Sequence, residues 1–114
     1  MSENLRFVIL ESPYAGNVEE NRAYATRCLR DSLMRGEAPY ASHLLYTDAL
    51  DDNNPEERRM GIEAGLHIGS FAVATVVYQD LGISKGMLAG IDRAGKEGRP
   101  VEFRRLYKPL GAWE

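Results

Sequence analysis

Residues 72–94 read AVATVVYQDLGISKGMLAGIDRA, and this stretch decides the fold. Its first seven residues are mostly small, apolar or β-branched and lack the alternation of a half-exposed strand, which is typical of a central strand covered on both faces. A loop with Gly82 and Gly86 follows, in which backbone N–H groups can face a ligand. Apolar residues then recur at helical intervals, and Ser84 is predicted to cap this helix. The stretch therefore predicts a strand, a ligand-binding loop and a helix in one unit.

The same alternation continues along the whole chain and predicts an α/β fold. Four strand signals alternate with three helix signals, which predicts a parallel sheet with flanking helices and right-handed crossovers, a Rossmann-like architecture. The length suits one domain, residues 1–114. The predicted strands are residues 5–10, 39–46, 72–78 and 99–103, and the predicted helices begin at Asn17, Asn54 and Ser84.

The first two predicted helices repeat apolar or small residues at i, i+3 and i+4, which predicts a face packed on the sheet. In the first helix this face consists of Ala25, Cys28, Leu29, Ser32 and Leu33. In the second helix it consists of Met60, Ala64 and Ile68, with Gly61 and Gly65 beside them. Cys28 is interpreted as a small buried hydrophobe rather than a nucleophile, since no histidine lies near it in sequence.

Composition argues against several classes of function. The net charge of -3 and the pI near 5.4 give no electrostatic support for polymeric nucleic acid or an anionic membrane as partner. No apolar run approaches the roughly 18 residues of a membrane span. The single cysteine makes no internal disulfide, and no Cys and His cluster has metal-ligand spacing. We therefore expect a cytoplasmic protein without metal or cofactor.

Polar loops follow the predicted strands and should meet at one edge of the sheet, where this architecture binds ligands. Ser12, Pro13 and Tyr14 follow the first strand, and Tyr40 and His43 belong to the second strand region. The two tyrosines suit stacking on a base or capping a sugar, or they pack the loops. The histidine is either part of a hydrogen-bonded structure or a general base.

The loop after the third predicted strand is a candidate phosphate site. Ser84 with the N–H groups of Lys85 and Gly86 would receive a phosphate at a helix N-terminus, and the lysine adds charge. Gly82 and Met87 complete this turn and are assigned to the same ligand-binding set. The alternative is a serine that only caps the helix.

Four charged residues near the predicted edge have two interpretations each. Asp80 lies in the loop after the central strand, either as a catalytic carboxylate or as a turn residue bonding its own backbone. Glu11 ends the first strand, where it either reaches a sugar hydroxyl or is an ordinary strand-end residue. Arg58 and Arg59, just inside the second helix, either reach a phosphate or face water.

Four motifs in this order resemble the nucleoside 2-deoxyribosyltransferase superfamily, and more closely its small, uncharacterised branch of phage-encoded and bacterial proteins. They are residues 12–16 (SPYAG), 54–58 (NPEER), 76–78 (VVY) and 82–87 (GISKGM). The resemblance implies a pocket for a nucleoside or nucleotide, no metal, and a homo-oligomer in which a partner subunit completes the site. It also implies cleavage or transfer at the bond between base and deoxyribose.

This chain lacks the glutamate that the resemblance places on the helix after the central strand. Leu88 stands at the transferase position, and Gly90 stands where related uncharacterised proteins carry glutamate. We therefore expect a protein that binds a nucleotide or a nucleotide-derived small molecule. One alternative is an active N-glycosidase or deoxyribosyltransferase with a displaced carboxylate, Asp80 or Glu11. Another is an oligomeric interaction module with a vestigial cleft.

Overall fold

The computed structural model describes residues 5–47, 49–51 and 53–107, with the backbone alone at Ser42. The ends of the predicted domain, residues 1–4 and 108–114, lie outside this range. In chain order the elements are β1 (Arg6–Glu11), α1 (Val18–Met34), β2 (Glu37–Tyr40), α2 (Ser42–Leu45), α3 (Pro55–Gly69), β3 (Ala74–Tyr78), α4 (Lys85–Lys96) and β4 (Val101–Arg104).

The four strands form one parallel sheet in the order β2-β1-β3-β4. This confirms the predicted α/β fold, a parallel sheet with flanking helices. β3 is buried along its whole length, as expected for a central strand. The chain moves from β1 to β2 on one side and then crosses back to β3 on the other, so the strand order reverses between β1 and β3. Open parallel sheets bind ligands at the carboxyl end of such a reversal point.

Local hydrogen bonds start the three long helices at the predicted residues. The side chain of Asn17 accepts from the backbone of Glu20, and that of Asn54 accepts from Glu56 and Glu57. The Ser84 hydroxyl accepts from a backbone N–H one turn later. Each cap satisfies N–H groups that have no partner inside the helix. The predicted starts are therefore confirmed.

The second strand was placed too late by the sequence pattern. β2 is Glu37–Tyr40, and the apolar residues that follow form the short helix α2 instead of continuing the strand. A short apolar run has no periodicity that separates a strand from a helical turn. The Leu44 N–H donates to the Ala41 carbonyl at 3.0 Å, so the chain turns as soon as β2 ends. His43 consequently lies on α2, beyond the strand.

One face of the sheet, the α1 face, packs against α1 through apolar side chains. Val8, Leu10, Val76 and Tyr78 of the sheet lie in one core with Tyr24 and Cys28 of the helix. The buried stripe of α1 is Asn21, Tyr24, Ala25, Cys28 and Ser32. The prediction was wrong for Leu33, which is 59% exposed, because the buried stripe runs back toward Asn21 rather than forward.

The opposite face, the α3/α4 face, is covered by glycine-bearing helices. A Cβ on Gly69 of α3 would lie 3.4 Å from Cγ1 of Ile9 in β1 and still closer to its Cδ1, so a larger residue here would have to displace the Ile9 side chain. Met60 was wrongly assigned to the packed face of α3, since it is 53% exposed. No helix within the described ranges has the length and apolarity to cross a membrane.

Candidate functional site

The carboxyl edge of the sheet carries the residues that the sequence singled out. The loop after β1 contains Ser12, Pro13 and Tyr14, and α2 follows β2 directly. The loop after β3 runs from Gln79 to Ser84. Because all strands are parallel, these segments start from the same edge, and the reversal between β1 and β3 lies in its middle.

Ser12 and His43 form a hydrogen-bonded pair at this edge. Ser12 is 4% exposed, and its Oγ lies 2.8 Å from Nε2 of His43. The Tyr14 ring meets the imidazole edge-on, with centroids 6.4 Å apart. Burial lowers the pKa of His43 to about 4, so the ring is neutral at pH 7 and offers one donor and one acceptor. A base this weak holds and orients groups better than it removes protons.

A cleft opens beside His43, between α2 and α3, with a volume of about 120 Å³. Ligand pockets usually measure roughly 300 to 1,000 Å³, so this cleft holds one moiety of a ligand and leaves the rest outside. Arg58 lines it and makes no hydrogen bond or ion pair within the described residues, whereas Arg59 pairs with Glu56 and Glu63 on the surface. The full lining is His43, Tyr46, Thr47, Leu50, Glu57, Arg58, Gly61 and Ile62.

Tyr40 points inward from the end of β2. Its ring packs edge-on against Phe7 at 6.4 Å between centroids. Its hydroxyl is buried without a hydrogen-bond partner among the described residues, and burial together with nearby Tyr46 raises its pKa. Since Tyr46 also lines the cleft, Tyr40 supports the cleft wall instead of forming an exposed stacking platform.

Glu11 ends β1 beside the reversal point and lies against α4. A Cβ on Gly90 would fall on its carboxylate, 2.6 Å from Cδ, so the glycine leaves the space that the carboxylate fills. Burial raises the pKa of Glu11 from 4.5 to about 7, and Arg99 offsets this only in part. A carboxyl group that titrates near neutral pH at a ligand-binding edge is a common mark of a functional site.

Asp80, the other predicted catalytic carboxylate, is occupied by structural hydrogen bonds. Its Oδ1 accepts from the Tyr24 hydroxyl at 2.5 Å and from the Leu106 N–H at 2.8 Å, and its Oδ2 accepts from the Tyr107 N–H at 3.1 Å. These hydrogen bonds hold the pKa of Asp80 below its usual value, although burial opposes them. Asp80 therefore ties the segment after β4 to α1, whereas Glu11 accepts no such bonds from the residues that the structure describes.

The turn before α4 has the geometry of a helix cap. The Ser84 hydroxyl accepts from the Met87 N–H at 3.3 Å, and the Ser84 N–H points to the Met87 sulfur at 3.4 Å. Gly82 adopts φ +90°, which favours glycine, and Lys85 and Gly86 are exposed. The serine-cap interpretation thus describes this turn, and a phosphate here stays a prediction.

Sequence reasoning missed three contributors to the site. Gly90 was noted only as the place of an absent glutamate, whereas it makes room for Glu11. Tyr46 was part of a predicted strand but lines the cleft, and Arg99 was not singled out although it acts electrostatically on Glu11. A glycine in the middle of a helix is the one signal that the sequence offered, since such a glycine needs a packing reason.

Within the part of the chain that the structure describes, no group of three or more His, Cys, Asp or Glu side chains could hold a metal ion. A family model described as a domain of unknown function, DUF7768, matches residues 6–104. The match begins and ends with the sheet and therefore contains the whole carboxyl edge. No curated protein and no solved structure matches the chain.

Proposed function

This chain belongs to the DUF7768 family, and we propose that it binds a nucleotide or a nucleotide-derived small molecule at the carboxyl edge of its sheet. One observation carries the proposal: the reversal point presents a carboxyl, Glu11, that has no hydrogen-bond partner among the described residues and follows β1 directly before the Ser12–His43 pair and its adjoining cleft. Apolar walls with a few converging polar groups are typical of small-molecule sites.

The chemistry of the edge suits the parts of a nucleotide. Tyr14 beside His43 offers an aromatic edge, and the cleft combines apolar Leu50 and Ile62 with polar side chains. Arg58 supplies a positive charge and forms no ion pair within the described residues, although Glu57 also lines the cleft. The resemblance to nucleoside 2-deoxyribosyltransferases favours the same ligand class, since its four motifs include the loops after β1 and β3.

A ligand screen tests this function. We expect nucleosides or nucleotides from a panel of bases and sugars to raise the melting temperature, since a ligand at 100 times its Kd adds about 2.7 kcal/mol. Arg58→Ala should weaken the binding of such a ligand, measured by calorimetry, whereas the matched neighbour Arg59→Ala should leave the Kd unchanged. A panel in which no member shifts the melting temperature of the wild type would refute the proposal.

A second candidate function, N-glycosidase activity, is favoured by the contact between Glu11 and Gly90. The resemblance places the transferase glutamate at Leu88 and the glutamate of related uncharacterised proteins at Gly90, and the Glu11 carboxyl lies where a side chain at position 90 would begin. A carboxylic acid with a pKa near 7 can protonate the departing base while water adds to C1′, giving free base and sugar.

Moving the carboxylate from position 11 to position 90 tests this activity. Glu11→Ala should abolish release of free base, measured by chromatography, and the double variant Glu11→Ala/Gly90→Glu should restore part of it. Asp80→Gln is the control for a carboxylate engaged in folding, and it should lower stability before it lowers the rate per folded molecule. Wild-type protein that releases no base from any deoxynucleoside or deoxynucleotide excludes the second candidate.

We also propose a cytoplasmic homo-oligomer. The single cysteine, Cys28, is a buried free thiol, which fits a reducing compartment. Exposed apolar side chains around α3 offer a surface for a second copy: Met60, Ile62, Phe71 and Val73. Light scattering should give a mass above 12.7 kDa, and a strictly monomeric mass would contradict the proposal.

A further inference from the structure

Glu11 differs from the other buried charges by its lack of partners. Within the described residues no N–H or O–H donates to either oxygen of its carboxyl group. Arg99, the cation that acts electrostatically on Glu11, donates from Nε to the Thr75 hydroxyl and from Nη1 to the Gly69 carbonyl and the Glu97 carboxylate. On α4 the Glu11 carboxyl lies against Gly90, which has no side chain that could donate a hydrogen bond.

An ionised carboxylate in this position would be poorly stabilised. A charge moved out of water without hydrogen bonds costs several kcal/mol, and such groups take up a proton instead. Glu11 is nevertheless only partly buried as a residue, and its carboxyl oxygens are not among the fully buried unpartnered atoms of the described residues, so they keep some exposure at the edge. The neutral acid offers one O–H donor and one carbonyl acceptor side by side.

We propose that Glu11 binds its ligand as a neutral carboxylic acid, through paired hydrogen bonds to the amide or amidine edge of a heterocyclic base. Such an edge presents an adjacent donor and acceptor, and it therefore matches both atoms of the acid at once. This inference rests on the proposed function and adds which part of the nucleotide meets Glu11. An ionised Glu11 would instead accept two hydrogen bonds, as from a pair of sugar hydroxyls.

Among Glu11 and the groups that face it, Glu11 is the one that we expect to titrate in the pH range of the experiment. Arg99, from the connection between α4 and β4, is the charged group that acts on it and favours the ionised form. On β3 its register partner is Val77, and on α4 it meets Gly90, neither of which titrates. His43, bonded to the adjacent Ser12, stays neutral above about pH 4 because burial lowers its pKa to that value.

Binding of nucleosides as a function of pH tests the inference. Nucleosides are used because a phosphate titrates near pH 6, and bases are chosen that do not titrate between pH 5.5 and 8.5. For wild-type protein we expect the Kd to rise about tenfold per pH unit above the Glu11 pKa. Glu11→Gln keeps a donor and an acceptor, so it should bind at pH 8 as the wild type does at pH 6, with no pH dependence.

Two further variants separate binding from folding. Asp92→Asn, an exposed change on α4, should retain the wild-type pH profile. Gly90→Ala should push the carboxyl away from the helix and move the midpoint of the profile. A wild-type Kd that falls or stays constant with rising pH, or Glu11→Gln that binds far more weakly at every pH, overturns the inference and leaves the proposed function standing. Absence of nucleoside and nucleotide binding at every pH overturns both.

Discussion

Both faces of the sheet contain buried ionisable side chains, but the hydrogen bonding of these side chains differs between the faces. On the α1 face Arg104 donates to both oxygens of Glu37 at 2.7 and 2.6 Å, and the Tyr78 hydroxyl donates to Asp31 at 2.6 Å. On the α3/α4 face Glu11 has no such bonds within the described residues. A folded protein rarely keeps an unsatisfied carboxyl without a reason, so the comparison separates buried groups that are paired from one carboxyl that is not.

The helices repeat the contrast. α1 packs its face with large side chains such as Tyr24, while α3 and α4 approach the sheet through Gly69 and Gly90. Large apolar side chains stabilise in proportion to the area they bury. Glycines add little area but let backbone and ligand groups come close. We expect substitutions on the α1 face to cost stability and those around Glu11 to change binding and pH dependence.

The largest effect is expected for Glu37→Gln on the α1 face. The side chains of Glu37 and Arg104 are 4% and 6% exposed, so the change removes the buried counter-charge of the guanidinium and leaves only the 39% exposed Glu102. Loss of one partner of a buried pair costs about 3 to 5 kcal/mol. Chemical denaturation measures this loss. The control Glu102→Gln, at a 39% exposed side chain, should lose about 1 kcal/mol or less.

The second effect has the opposite sign and belongs to the α3/α4 face. Burial raises the pKa of Glu11 from 4.5 to about 7. The free energy of unfolding therefore falls as pH rises from 4.5 to 7, and it stays at the lower value above pH 7. Glu11→Gln should therefore add about 3 kcal/mol at pH 8 and nothing at pH 4. Denaturation at both pH values measures it. An equal change in stability at the two pH values would contradict the raised pKa of Glu11 and with it the difference between the two faces.

The third effect tests the link from α1 to the segment after β4. Tyr24→Phe removes the hydroxyl that donates to Asp80, a carboxylate that also accepts from the Leu106 and Tyr107 backbone. Loss of one hydrogen bond to a charged group costs about 1.5 to 3 kcal/mol. Hydrogen exchange at Leu106 should accelerate in the variant. An unchanged exchange rate would mean that Asp80 holds this segment without help from the hydroxyl.

The smallest effect is expected on the outer surface of α3. Arg59→Ala removes two exposed ion pairs, with Glu56 and Glu63. Exposed pairs contribute little to stability because water and salt screen them. Thermal unfolding should shift little, and less still at high salt. A large loss would show that α3 depends on its surface charges more than on its contact with the sheet.

Local signals predicted the elements with short-range causes. Asn17, Asn54 and Ser84 begin their helices because capping involves residues two to three positions apart. The apolar run of β3 predicted a central strand because both of its faces had to be covered. β2 was misplaced because four or five apolar residues fit a strand and a helical turn equally well.

The candidate site was predicted in its location and less well in its roles. Parallel strands place Ser12, Tyr14 and His43 at one edge, as the sequence order required. The same order did not indicate that the Asp80 carboxylate would accept hydrogen bonds from the Tyr24 hydroxyl and two backbone N–H groups. Which carboxylate stays available depends on contacts across the fold, and these leave no trace in local spacing.

The sequence by itself determined the alternation of strands and helices, the helix caps and the edge at which the polar loops gather, because these follow from hydrophobic periodicity and neighbouring residues. Only the tertiary structure decided that Ser12 pairs with His43, 31 residues away, and that Glu11 lies against Gly90. Such contacts depend on strand register and on how closely a helix approaches the sheet. Both are set by packing of the whole chain, since no single segment can bury its apolar face alone.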